Sequence, residues 1–132
     1  MKYPNLRYLK LDEYSKIKNK YLGKSWILIE LDGERVRNEK KLYMLFKKKI
    51  TAPKHFYNNI NSFNDLLYNF FDLGNPNRLV IMIKNHTNIK NTEFLSTILG
   101  IFNGAVDYWK KHDEARLEVL VFNKTIASNK YK

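Results

Sequence analysis

No cysteine occurs anywhere in the 132 residues. That absence excludes a disulfide framework, a thiol nucleophile and a cysteine-ligated metal, and it removes any dependence on an oxidising compartment. Glycine and proline are few, 5 and 3, and they form neither a glycine-rich phosphate loop nor a dinucleotide fingerprint. No apolar run approaches the length of a membrane span. The stretch MKYPNLRYLKLDEYSKIKNKYLGKSW lacks the continuous apolar region of a secretory signal, so a cytoplasmic location is expected. Histidine is sparse and scattered: His55, His86 and His112 fall in a loop, at a strand end and at a helix end, with no metal-ligand spacing and no partnered nucleophile. Paired catalytic carboxylates are missing as well. The chain reads as a non-enzyme with no catalytic residues, cofactor or metal.

What is present is a folded, basic domain. Hydrophobic residues make up 44% and aromatics 14%, enough to build one core rather than a disordered basic tail. The formal net charge is +11, with lysine far outnumbering arginine. Residues 1–24 hold Lys2, Arg7, Lys10, Lys16, Lys18, Lys20 and Lys24 against Asp12 and Glu13, so 7 minus 2 gives +5 there. Such an extension either contacts nucleic acid or is a solvated helical face.

Three short apolar runs, WILIEL at 26–31, RLVIMI at 78–83 and LEVLVF at 117–122, have strand length and branched aliphatic character. The middle one is apolar on both alternating faces, as expected of a strand covered on both sides. The connections, 46 residues (32–77) and 33 residues (84–116), are far too long for hairpins and suit helical crossovers between parallel strands. NEKKLYMLFKKKI places Leu42, Leu45, Phe46 and Lys49 on one helical face, with Asn38 as N-cap and Pro53 beyond the end. NTEFLSTILGIFNGAVDYWKKH repeats Phe94, Leu95, Ile98, Ile101, Phe102, Ala105 and Trp109 at three-and-four spacing. Gly100 and Gly104, four apart, suggest close packing of that helix on the sheet. The expected fold is α/β, a three-stranded parallel sheet packed with helices plus a basic helical N-terminal extension. The expected division is 1–24 extension, 25–124 α/β domain and 125–132 polar C-terminal tail.

One segment departs from the general charge. FYNNINSFNDLLYNFF at 56–71 has no lysine, several asparagines and a single carboxylate, Asp65. Phe63, Leu66, Leu67, Phe70 and Phe71 fall at helical spacing and mark a buried stripe. Asn61, Asn64, Asp65, Tyr68 and Asp72 then share the opposite, water-facing side, with Asp65 expected in the first turn, where the helix dipole favours an anion. Ser62-Phe63-Asn64-Asp65 has the form of a capping box, in which Asp65 serves its own helix terminus. With Asn59 as the cap, Asp65 is instead free to face a partner.

DGERVRNEKKLYMLFKKKI, APKHFYNNINSFNDLLYNFF and the strand RLVIMI together resemble the barstar family of intracellular ribonuclease inhibitors, over about residues 26–122. The loop and helix PKHFYNNINSFNDLL carry most of the likeness. The resemblance implies a three-stranded parallel sheet with helices, and binding rather than catalysis: this helix and the loop before it plug a nuclease active site. Asp65 falls on the family's central inhibitory aspartate. Asn61 stands at a second aspartate, Asn64 at a tryptophan, Tyr57 at a loop glycine and His55 at a tyrosine that packs against the enzyme. A further acidic residue on the last helix has Asp107, Trp109 and Asp113 near its position. The family's namesake is acidic, whereas this chain is basic.

The sequence therefore leads to an inhibitor or immunity protein acting on a partner enzyme, foremost a ribonuclease or nuclease toxin. Its binding residues are Asp65, Asn61, Asn64, Tyr57, His55 and Tyr68, with no membrane contact and a monomer in a one-to-one complex. The alternative is a basic nucleic-acid-binding or scaffold domain that uses the lysine-rich surface.

Overall fold

A strand as apolar as RLVIMI must be covered on both faces, and the fold is arranged around that need. The computed structural model describes residues 2–23, 25–75, 78–112 and 116–124. In order the elements are β1 (Arg7–Lys10), α1 (Tyr14–Tyr21), β2 (Trp26–Asp32), α2 (Glu39–Lys47), α3 (Ile60–Asn69), β3 (Arg78–Lys84), α4 (Thr92–His112) and β4 (Leu117–Asn123). Short 3-10 turns occupy 11–13, 54–57, 70–73 and 86–88. The strands form one sheet in the order β1-β4-β3-β2, parallel throughout, with Ile29 opposite Ile81 and Ile81 opposite Val119.

Side-chain alternation sorts the two layers. Leu79, Ile81 and Ile83 of β3 join Ile29, Leu31, Val119 and Val121 in the larger core, beneath Leu42 and Phe46 of α2, Phe63, Leu66 and Leu67 of α3, and Ile98, Phe102 and Ala105 of α4. Val80 and Met82 point the other way, with Leu120 and Phe122, and are roofed by Tyr14, Ile17 and Tyr21 of α1. Tyr14 packs edge-on against Phe122 at 4.8 Å and donates its hydroxyl to Glu30 at 2.7 Å. Burial and this hydrogen bond to a carboxylate both push the Tyr14 phenol up. Among the described residues no helix is long and apolar enough to cross a membrane.

The three expected strands and both crossovers are present, and the crossover helices α2 and α4 are capped: the side chain of Asn38 accepts from the Lys41 amide and that of Asn91 from the Phe94 amide, both at 3.0 Å. Two expectations are corrected, the number of strands and the placement of Gly100 and Gly104. The sheet has four strands rather than three, because Arg7–Lys10 pairs with β4; a run of four residues with charge at both ends gives no apolar signal of its own. The 1–24 segment is helical over α1 as expected, yet it also wraps the sheet. Tyr3 and Asn5 lie on α4, the Tyr3 hydroxyl donating to Ser96 O at 3.3 Å and the Asn5 amide to Asn103 Oδ1 at 2.8 Å, and Leu6 is buried in the larger core. Arg7 and Lys18 spend their charge internally, on Glu118 at 3.2 Å and Glu30 at 3.0 Å.

The second correction concerns Gly100 and Gly104, which do not face the sheet. Gly100 lies beside the Tyr3 ring, and the Tyr68 hydroxyl sits 3.1 Å from where a Cβ on Gly104 would be. The glycine that admits close backbone approach is Gly33, whose missing Cβ would run into the Asn85 carbonyl. Residues 125–132, the expected polar tail, lie outside the described residues.

If α1 is a structural roof, Tyr14→Ala lowers the unfolding free energy by about 3–5 kcal/mol. Lys16→Ala, on the exposed side of the same helix, changes it by less than about 0.5 kcal/mol. Urea titrations of the two variants check the pair, and equal small effects would mean that the roof contributes little.

Candidate functional site

Helix α3 begins where the backbone of Asn59 is extended, with φ −159° and ψ 173°, and the Asn59 side chain accepts the Ser62 amide at 2.9 Å. The choice between two caps is thus made in favour of Asn59. Asp65 belongs to no capping box, and it lies past the first turn, which holds no acidic residue; the expectation of a first-turn carboxylate is corrected, because the cap sits three residues earlier than Ser62. The Asp65 backbone carbonyl accepts from Asn69 Nδ2 at 2.8 Å. Its carboxylate is exposed and has no hydrogen bond or ion pair with any described residue.

The buried stripe fixes how this carboxylate is presented. Phe63, Leu66, Leu67 and Phe70 are at most 1% exposed, so α3 cannot roll about its axis without exposing them. Phe71 is half-buried, edge-on to Trp109 at 4.7 Å. On the outer side Asn61, Asp65 and Asp72 are exposed, while Asn64 and Tyr68 are half-buried. Tyr68 stacks on Tyr108 of α4 at 4.8 Å and 11°, and Tyr108 stacks in turn on His112 at 4.0 Å. Trp109 is buried, and its indole donates to the Leu67 carbonyl at 2.9 Å, fastening α4 to α3. Of the three residues considered for a further acidic contribution, Trp109 is therefore in the core, Asp107 is ion-paired with Lys111 at 3.0 Å, and Asp113 lies outside the described residues.

The turn before α3 is held from beneath. Tyr57 is 8% exposed, packs with Tyr43 at 6.2 Å and lies under the Lys47 ammonium at 5.1 Å. Its hydroxyl is buried without a hydrogen-bond partner among the described residues, and burial pushes the phenol up to about 12. Tyr57 thus anchors the turn, while His55 is exposed and lies against Phe56 at 4.3 Å. Asn75 holds the approach to this turn: it accepts the Thr51 amide at 2.9 Å and donates to the carbonyls of Thr51 and Phe70 at 3.0 Å. Sequence reasoning missed Asn75 and Tyr108, because both act across gaps of tens of residues that no local pattern spans.

Structure brings His55, Asn61, Asn64, Asp65 and Tyr68 onto one turn and helix and leaves Tyr57 below them. Helix α3 carries a single carboxylate and no cation. Such a surface offers one unpartnered anion flanked by amides, which suits binding to a cationic pocket. It contains no nucleophile with an adjacent base. Among the described residues, no group of three or more His, Cys, Asp and Glu is placed to hold a metal ion.

A comparison with protein families matches Barstar (barnase inhibitor) over residues 26–122, more than two thirds of the chain. No curated protein matches.

Two outcomes follow from this geometry. Asn59→Ala removes the cap and destabilises the protein by about 1 kcal/mol, whereas Asp65→Ala, losing no internal partner, changes stability by less than about 0.5 kcal/mol; chemical denaturation distinguishes them. His86 supplies a pH test. Its Nδ1 is buried without a partner among the described residues, and burial holds the imidazole below its ordinary value. The unfolded chain then binds the proton more readily than the folded one, so this contribution is intact above pH ~6.5 and is lost as pH falls below it. In urea midpoints measured from pH 7.5 to 5, His86→Gln should flatten that decline; an unchanged slope would show that His86 does not cause it.

Proposed function

The chain belongs to the barstar family, and from that premise we propose that it is an inhibitor or immunity protein that blocks the active site of one partner enzyme, a ribonuclease or nuclease toxin. Asp65 is the central contact. A nuclease pocket built from arginine, lysine and histidine to hold a phosphate also holds a carboxylate, and charge-assisted hydrogen bonds to it are the strong kind. Asn61 and Asn64 flank the carboxylate with amide donors and acceptors, His55 meets the rim from the turn, and Tyr68 closes the side toward α4. Tyr57 keeps the turn in place. The complex is one-to-one, cytoplasmic, and involves no catalysis by this chain.

The observation that carries this reading is the exposed carboxylate of Asp65, without a partner among the described residues, on a helix without cations in a chain of net charge +11. A solvated structural helix has no need of that exclusion. A cationic pocket does, because each lysine on this face would be desolvated against like charge. The lysine-rich remainder stays outside the contact.

Capture from the source organism's lysate, with wild type and Asp65→Ala washed at low and high salt, tests the proposal. The expected outcome is one protein that survives high salt on wild type and is inhibited by it. Asp65→Ala should weaken that binding by about 3–5 kcal/mol, roughly two to four orders of magnitude in Kd. Nucleic acid that washes off with salt and ignores Asp65 would overturn the proposal in favour of the basic binding domain.

A further inference from the structure

A second surface lies away from α3, at the edge of the sheet. The two edge strands differ in length: β1 has four residues and β2 seven, and among the described residues no strand lies on the outer side of β2. Gly33 donates its amide to the Lys84 carbonyl. By the two-residue alternation of a strand, Ile27, Ile29 and Leu31 therefore turn their backbone groups toward β3, and Trp26, Leu28 and Glu30 turn theirs outward. Among the described residues no hydrogen bond reaches those outward groups.

This edge forms the floor of two adjoining grooves of about 660 and 470 Å³. One wall is the end of α1, with Tyr21 and Leu22; the other is α2, with Met44 and Leu45. Leu22 and Met44 are the two large hydrophobic side chains that stand exposed among the described residues, at 51% and 44%. Both line this edge. The α2 wall also carries Lys41, Lys48 and Lys49, which are exposed and form no ion pair with a described residue. An unpaired strand, an apolar rim and three lysines without an ion pair among the described residues coincide there; the carboxylates that also line the grooves are engaged, Glu30 by Lys18 and Tyr14 and Asp32 by Asn85 and the Glu34 amide.

We propose that the outer edge of β2 takes up an extended acidic segment of a partner protein as an added fifth strand. The backbone of the segment pairs with Trp26, Leu28 and Glu30. Its side chains alternate, so those on one face meet Leu22 and those on the other meet the α2 lysines, where carboxylates are favoured. Charge decides against a second copy of this chain in the same place, since pairing β2 with β2 brings two lysine-lined walls of a +11 protein together. The groove shares no residue with the α3 site, and the inference is independent of the inhibitory reading.

The test uses the full chain and a fluorescein-labelled peptide of alternating glutamate and valine, seven residues long to match β2. Three further peptides serve as controls: a lysine-valine counterpart and two forms of the acidic peptide N-methylated at alternate residues, one in each phase. Saturable binding of the acidic peptide is expected in anisotropy titrations, with slowed hydrogen exchange at the Leu28 and Glu30 amides. Combining Lys41→Glu, Lys48→Glu and Lys49→Glu should weaken it roughly tenfold or more, and one N-methylated form should fail to bind. Equal binding of both methylated forms would reduce the effect to plain charge attraction and overturn the proposal. So would no binding at all, which would make the lysines guards of an edge kept free. Protection of Leu28 and Glu30 in a peptide-free dimer would overturn it in favour of self-pairing.

Discussion

The double-faced burial of β3 is the constraint from which the rest of the structure follows. Leu79, Val80, Ile81, Met82 and Ile83 are all at most 1% exposed, and a strand in that state needs a layer on each side. Parallel pairing with β2 and β4 forces long crossovers, and these supply α2, α3 and α4 to one face. The other face would stay open if the chain began at β2. The N-terminal residues close it: β1 extends the sheet past β4, and α1 returns beneath it to cover Val80, Met82, Leu120 and Phe122. The basic appearance of residues 1–24 conceals a packing role, because lysines on the outer side of α1 are compatible with tyrosine and isoleucine on its inner side.

The same burial makes α3 a rigid platform. Its apolar stripe is locked between α2 and α4 by Phe46 against Phe63 at 4.8 Å and by the Trp109 hydrogen bond, and the preceding turn is held by Tyr57 and Asn75. An exposed group on such an element is already oriented, so little freedom is lost when a partner binds it. Tyr68 illustrates the economy of the arrangement. Stacked on Tyr108 and seated over Gly104, it helps align α3 with α4 while keeping its outer edge at the surface.

The legible parts of the fold were those with a period. Strands 26–31, 78–83 and 117–122, the cap Asn38, and the stripe Phe63, Leu66, Leu67 and Phe70 all announce themselves within a few residues. The illegible parts are relations between distant segments. β1 is too short and polar to signal pairing with β4. Gly100 and Gly104 looked suited to the sheet, but only the placement of Tyr3 and Tyr68 tells which side of α4 they occupy. Tyr57 read as a surface anchor and is buried, because the turn folds inward onto Tyr43 and Lys47.

For the candidate site the division is similar. A lysine-free, asparagine-rich helix with one carboxylate is written in the residues themselves, since hydrophobic periodicity assigns its faces and composition assigns their charge. Whether Asp65 serves its own helix or stands free was a matter of two competing caps three residues apart, and local propensity does not separate asparagine from serine there. Tertiary structure decided it, by fixing where the chain leaves the turn anchored by Tyr57 and Asn75 and so which residue reaches the first free amides of α3. The open edge of β2 belongs wholly to that second category: a strand's sequence sets its two faces, but which of its sides is left without a neighbour depends on the order in which distant strands assemble.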